Sequence, residues 1–379
     1  MSYSEVGVLY AFREVIINLF EIASGVIADI MGRKKAMVSA FVAYLISFLV
    51  FYSLPYFWGF VIAFFFYGIG DSFRTGTHKA MMYAYLLKNN WQAEKTHYYG
   101  QTRSWSQKGS AISALISAIL VFYTGDYGLM FLLTSIPYLI DLLLLASYPN
   151  YLNGSQQSYR GELGQQFKMH FAGLFNELKK RSSIRVVGLT SSFTGYYKAS
   201  KDYIQIIIMS LASGLVLIDS YTAEQNAAVY IGIAYFVLFW LTSLASKNAY
   251  RIEAILGAPS KSLVRLQSIA YVLGFIAGIL FVKDFYLAAL FCFSFIFIIQ
   301  NFRRPIAVKY VADKFDEKMM ASIMSVESQG ETLFASIFAL ILGVLIDVAG
   351  MGWGIAFLSV LLMATSVILR GLKRKRIDK

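Results

Sequence analysis

The chain has 379 residues, of which 58% are hydrophobic and only 15% charged, with a formal net charge of +12. A water-soluble domain carries charge on about a quarter of its residues, so a mean hydropathy of +0.58 places this chain in lipid. There the basic excess belongs to cytoplasmic loops, and nucleic acid is not the expected partner.

The first apolar segment, 6–31, carries Arg13, Glu14 and Glu21. Glu14, Asn18, Glu21 and Gly25 recur at helical spacing and form one polar stripe. Arg13 and Glu14 either line a translocation path or belong to a structural stripe. The stripe leads into Gly25, Asp29, Gly32, Arg33, Lys34 and Lys35. Segments 36–54 and 57–86 follow, the latter holding Asp71, Arg74, His78 and Lys79. Asp71 and Arg74 lie at i, i+3 and neutralise each other on one face, with Arg74 the candidate for an anionic group. His78 and Lys79 are close enough to the cytoplasmic end to snorkel. Segments 104–123 and 127–148 complete the first half.

The polar stretch 149–183 contains Phe167, Phe171, Leu174, Phe175 and Leu178 at helical spacing, followed by Lys179, Lys180 and Arg181. It reads as an amphipathic helix on the cytoplasmic membrane surface. Beyond it, segment 184–211 places Lys198, Lys201 and Asp202 in its middle, with Gly195 and Ser200 marking a bend. Lys198 and Asp202 are spaced for an internal ion pair, which leaves Lys201 to find a partner elsewhere. Segments 226–246, 263–282, 285–303, 319–346 and 351–370 follow. Gln300, Asn301 and Arg303 stand at a cytoplasmic end. Glu327 and Glu331 share a helix face, where two carboxylates repel unless a lysine intervenes or one holds a proton. Lys198 or Lys201 is the expected neighbour of that pair.

A hydrocarbon core about 30 Å thick takes about 20 helical residues to cross, so these segments make eleven spans. Alternate loops put 28 of the 34 basic residues on one side and Lys283 alone on the other. The orientation that follows is Met1 outside and the basic tail in the cytoplasm. The division is an N-terminal bundle 1–148, a linker 149–183 and a C-terminal bundle 184–379.

The loop Gly25-Val26-Ile27-Ala28-Asp29-Ile30-Met31-Gly32-Arg33-Lys34-Lys35 resembles the loop between helices 2 and 3 of the major facilitator superfamily. Gly68-Ile69-Gly70-Asp71-Ser72-Phe73-Arg74-Thr75-Gly76 is similar to the glycine-rich fourth helix of bacterial members. The run from Met320 to Gln329, continuing to Gly343-Val344-Leu345-Ile346-Asp347, is similar to helix 11. The resemblance implies an all-α membrane fold of two pseudosymmetric bundles, with the 25–34 loop gating the conformational change. Counted against that family, the spans correspond to helices 2–12, so helix 1 is expected to be absent. Met1 would then be internal to a longer reading frame, or the chain a truncated product. The span at Gly109-Ser110-Ala111-Ile112 lacks the proline of drug–proton antiporters.

The resemblance implies a secondary transporter of the bacterial cytoplasmic membrane. It moves a small polar or charged solute by alternating access, with the proton as coupling ion, and acts as a monomer. A non-transporting sensor and an inactive truncated product are the alternatives. No phosphate-binding loop pattern is present for ATP drive. Cys292 is the single cysteine and His78, His97 and His170 lack metal-ligand spacing, so no disulfide, metal or cofactor is expected. No cluster of acids, histidines or cysteines at one face suggests an enzyme. The candidate substrate and coupling residues are Arg13, Glu14, Arg74, Lys198, Lys201, Asp202, Gln300, Asn301, Glu327 and Glu331.

Overall fold

The computed structural model describes residues 3–126, 128–153, 169, 172–176, 179–212, 223–316 and 319–374. Each of the eleven apolar segments is helical over most of its described residues. Before the linker come α1 (Tyr3–Met31), α2 (Arg33–Ser53), α3 (Phe57–Lys88), α4 (Lys95–Thr124) and α5 (Gly128–Ser147). After it come α6 (Arg181–Ser200), α7 (Ile204–Ala212), α8 (Ala223–Lys247), α9 (Ala249–Leu256) and α10 (Pro259–Val282). The last three are α11 (Tyr286–Ala312), α12 (Met320–Ala349) and α13 (Met351–Arg374). No strand occurs among the described residues.

Two of these helices outrun the sequence reading. The fourth begins at Lys95 rather than 104, and α11 runs to Ala312 rather than 303. Apolar run length marks the hydrocarbon, whereas a helix satisfies its own backbone hydrogen bonds and continues into the water interface. Among the described residues, α2, α4, α5, α8, α10, α11 and α12 contain stretches long and apolar enough to cross a membrane. The first and third helices have 29 and 32 residues, but α1 carries Arg13, Glu14, Glu21 and Asp29, and α3 carries Asp71, Arg74 and Lys79. In α3, with every residue described, these charges lower the hydropathy of a helix otherwise long enough to span.

Local breaks fall where the sequence allows them. Gly32 separates α1 from α2 at a φ of 113°, a conformation that side chains rarely adopt. The sixth apolar segment, 184–211, is discontinuous. Helix α6 stops at Ser200, a 3₁₀ turn covers Lys201–Tyr203, and α7 begins at Ile204. In the linker, 172–176 are helical with Leu174 buried and Phe175 exposed. Phe167, Phe171 and Leu178 lie outside the described residues.

The chain divides into two compact units. One comprises Met1–Lys95, Asp126–Gly188 and Val308–Gly330; the other comprises Thr96–Gly125, Leu189–Ala307 and Glu331–Lys379. In the first unit α3 packs on α1 and α2, and α2 also packs on α5. Tyr44, Phe48, Phe51 and Ala63 form an aromatic core there. In the second unit α10 packs on α13. Helices of both units bury polar side chains and turn large apolar ones outward. Helix α12 buries Ser322, Ser325, Glu327, Ser328 and Glu331 while exposing Leu333, Leu340, Val344 and Val348. Such an apolar surface suits the lipid of a membrane.

Glycines set the closest helix contacts, as in membrane bundles generally. A Cβ on Gly278 of α10 would lie 2.4 Å from the Gly352 carbonyl oxygen and 2.9 Å from the Ala356 nitrogen, both backbone atoms of α13. At Gly343 nothing lies within 4 Å. Gly278→Ala is therefore expected to destabilise the protein by about 1–3 kcal/mol through overpacking. Thermal unfolding in detergent, followed by intrinsic fluorescence, checks this against Gly343→Ala, which should leave the midpoint unchanged.

Candidate functional site

In the first unit, the end of α1 meets the beginning of α12. A Cβ on Gly25 would come within 2.7 Å of Ser325 Oγ and 3.0 Å of Ser322 Cα, so only glycine permits this approach. Four residues on, buried Asp29 uses both carboxylate oxygens. Its Oδ2 accepts from the backbone N–H and the hydroxyl of Ser322, each at 3.0 Å. Ser322 lies in the first turn of α12, where unsatisfied N–H groups and the helix dipole favour a negative charge. Its Oδ1 accepts from Arg33 at 3.2 Å, and Arg33 also donates to the Ala80 carbonyl of α3. Lys34 donates to the Tyr148 carbonyl at 2.6 Å. Asp29 thus serves both a basic group and a helix N-terminus.

One turn deeper, Lys79 of α3 and Glu327 of α12 form an ion pair at 3.2 Å, with side chains 6% and 0% exposed. Lys79 does not snorkel. A carboxylate on the facing helix offers a nearer counter-charge than the interface does, and two buried opposite charges hold each other in place. At mid-helix, Arg13 pairs with its neighbour Glu14 at 2.5 Å, and Arg74 with Asp71 at 3.3 Å. Gln329 donates to the Asn18 carbonyl at 3.1 Å. Glu21 is buried within α1.

In the second unit, the organising residue is Glu331 of α12, which is buried. One carboxylate oxygen is bonded to Arg304 of α11, and the other lies 3.3 Å from Lys198 of α6. Lys198 is therefore the lysine that reaches the glutamates, and it does not pair with Asp202. Asp202 pairs instead with Lys201, at 2.6 Å, in the exposed 3₁₀ turn. That turn breaks the i, i+4 geometry an unbroken helix would offer to Lys198 and Asp202. Glu327 and Glu331 each have their own cation.

Gln300, on the same face as Arg304, donates to Thr194 at 3.1 Å, while its buried Oε1 has no partner among the described residues. Asn301 accepts from Arg103 of α4 at 2.8 Å. Thr96, in the first turn of α4, donates to Glu253 of α9 at 2.7 Å. Arg303 is fully buried and donates to the carbonyls of Leu189, Thr190 and Leu263. Arg103 and Arg304 enter the sequence reading only as basic loop residues. The clue to Arg304 is Pro305 beside it, which lies inside α11 rather than after it.

No group of three or more His, Cys, Asp or Glu residues among those described can hold a metal ion. The described residues form a helical protein with apolar outward faces and buried, paired charges, the architecture of a polytopic membrane protein. The major facilitator superfamily profile matches residues 1–328, and the chain belongs to that family. Its fold is similar to that of the human organic anion transporter TETRAN, at 15% identity and a TM-score of 0.67, covering 96% of this chain and 83% of that one. It is similar to the E. coli fucose:proton symporter at 14% identity and a TM-score of 0.69, covering 97% and 90%. The third is the proton:xylose symporter XylE bound to 6-bromo-6-deoxy-D-glucose, at 15% identity and a TM-score of 0.64, covering 96% and 86%. No curated protein gives a significant sequence match.

Removing one partner of the Lys79–Glu327 pair strands a buried charge. Lys79→Ala and Glu327→Ala are each expected to cost about 3–5 kcal/mol, whereas Lys79→Met with Glu327→Leu should recover most of that loss. A double-mutant cycle on thermal unfolding in detergent measures the coupling.

Proposed function

We propose that this chain is a secondary active transporter of a small polar or charged solute, working by alternating access with the proton as coupling ion. The observation that carries this reading is the carboxylate of Glu331, buried in α12 and shared by Arg304 of α11 and Lys198 of α6. Polar contacts of this kind are costly inside a membrane and mark ion or substrate pathways. A proton delivered to Glu331 removes its charge and releases two cations on two other helices at once. That is the kind of local electrostatic event that biases a two-state packing.

Bonds between segments far apart in sequence also support the cycle. In the first unit Asp29 holds Ser322 and Lys79 holds Glu327; in the second, Arg103 holds Asn301 and Thr96 holds Glu253. With the proposed orientation these contacts lie toward the cytoplasmic helix ends. They act as polar latches between bundles 1–148 and 184–379, broken and remade as the solute crosses. On this reading Gly25, Asp29, Gly32, Arg33 and Lys34 gate the change, and the protein sits in the cytoplasmic membrane with its tail inside. The organic anion and proton–sugar carriers with the same fold make those solute classes the first to test.

The test is solute uptake into proteoliposomes under an imposed pH gradient. Flux should follow the gradient and collapse with a protonophore. Glu331→Gln should abolish its pH dependence, lowering gradient-driven uptake at least tenfold while leaving solute binding measurable. An unchanged pH profile in that variant would show that Glu331 does not carry the coupling proton. Binding without any flux would favour a sensor over a carrier.

A further inference from the structure

We infer that the mid-membrane ion pairs of the first unit form a recognition site for a zwitterion, a solute carrying both a carboxylate and an ammonium group. The inference rests on the transport reading and names its substrate class.

Arg74 lies near the middle of the 32-residue helix α3. Its Nε donates to the Tyr44 hydroxyl at 3.1 Å and its Nη2 to Asp71 Oδ1 at 3.3 Å. Tyr44 in turn donates to Asp71 Oδ1 at 2.6 Å. Tyr44 is 1% exposed and packed edge-on against Tyr67 and Tyr138, so this bracket is rigid. The bracket occupies one edge of the guanidinium. The other, Nη1 with the second Nη2 proton, has no partner among the described residues, and the side chain is 47% exposed. An arginine at this depth does not face hydrocarbon, so its open edge faces a polar space. A guanidinium held by one edge presents the other as a fork that matches a carboxylate.

Fixed negative charge stands beside it. Asp71 commits only Oδ1 to Tyr44 and Arg74, and Oδ2 has no partner among the described residues. Glu14 on α1 commits only Oε1 to Arg13, and its side chain is 38% exposed. The two ion pairs lie on helices in direct contact, because a Cβ on Gly68 of α3 would come within 2.8 Å of Ile16 and 3.4 Å of the Arg13 carbonyl. The four charges cancel. A simple anion on Arg74 would meet the Asp71 carboxylate, and a simple amine would meet the guanidinium. A solute with both groups satisfies the open donor edge and an open carboxylate oxygen while adding no net charge to the midplane.

The test uses the purified full chain in detergent. Its probes are the proteinogenic amino acids, each set against the amine that lacks its carboxylate and the acid that lacks its ammonium. At least one amino acid should raise the unfolding midpoint by several degrees, and its amine and acid partners at the same concentration should not. Arg74→Lys keeps the charge and loses the fork, so it should weaken that amino acid at least tenfold. Stabilisation by no amino acid, or equal stabilisation by a matching amine or acid, overturns the inference. If Arg74→Lys fails to fold, the wild-type series still decides. Amino-acid binding without flux in vesicles sinks the transport reading alone. Flux of another solute with no amino-acid binding sinks this inference alone.

Discussion

An ionised side chain within a membrane span needs a partner, and for the buried acids Glu327 and Glu331 of this chain that partner comes from another helix. The packing of this chain follows from that requirement. Glu327 and Glu331 sit one turn apart on α12, yet they are answered by Lys79 of α3 in one case and by Arg304 of α11 with Lys198 of α6 in the other. Asp29 is answered by Arg33 and by the first turn of α12. Three carboxylates thereby tie together helices whose apolar faces, in lipid, have no hydrophobic reason to associate. Small residues then decide how near the helices come, as at Gly25, Gly195 and Gly278.

Much of this was legible in the sequence because the membrane imposes simple lengths and periods. Segments placed by hydropathy coincide with helices, and the interruption at Ser200 was marked by Gly195 and Ser200 themselves. The loop from Gly25 to Lys35 announced its contacts because each residue type there has a narrow physical use: a glycine for close approach, an acid for a helix end, a glycine for a positive φ. The partners of the buried acids were not legible. Helical spacing ranks neighbours on one helix, so it paired Lys198 with Asp202 and set Glu327 against Glu331. Pairing across helices depends on rotation and register, which no local pattern encodes. Lys79 and Arg304 lie close enough to helix ends that reaching the interface was the cheaper local solution, and only a facing carboxylate overrules it.

Hydropathy and function also pull against each other along the chain. A long apolar run is the sequence signature of a span, and α3 falls short of it because it holds Asp71, Arg74 and Lys79. Spans such as α5 satisfy it readily and present Leu139, Ile140, Leu143 and Leu144 to lipid. The first kind of helix carries charge, and the second an apolar outer face.

The meeting of α1 with α12 at Gly25 has a thermal consequence. That junction brings together a glycine, the Ser322 backbone, two serine side chains and one carboxylate. Heat-capacity change follows the apolar surface that is exposed or buried. Parting these polar contacts uncovers little of it, so a step in which they open is expected to draw little heat-capacity change from them. Its rate should then vary with temperature along a nearly straight Arrhenius line, unlike a step that peels one greasy face from another.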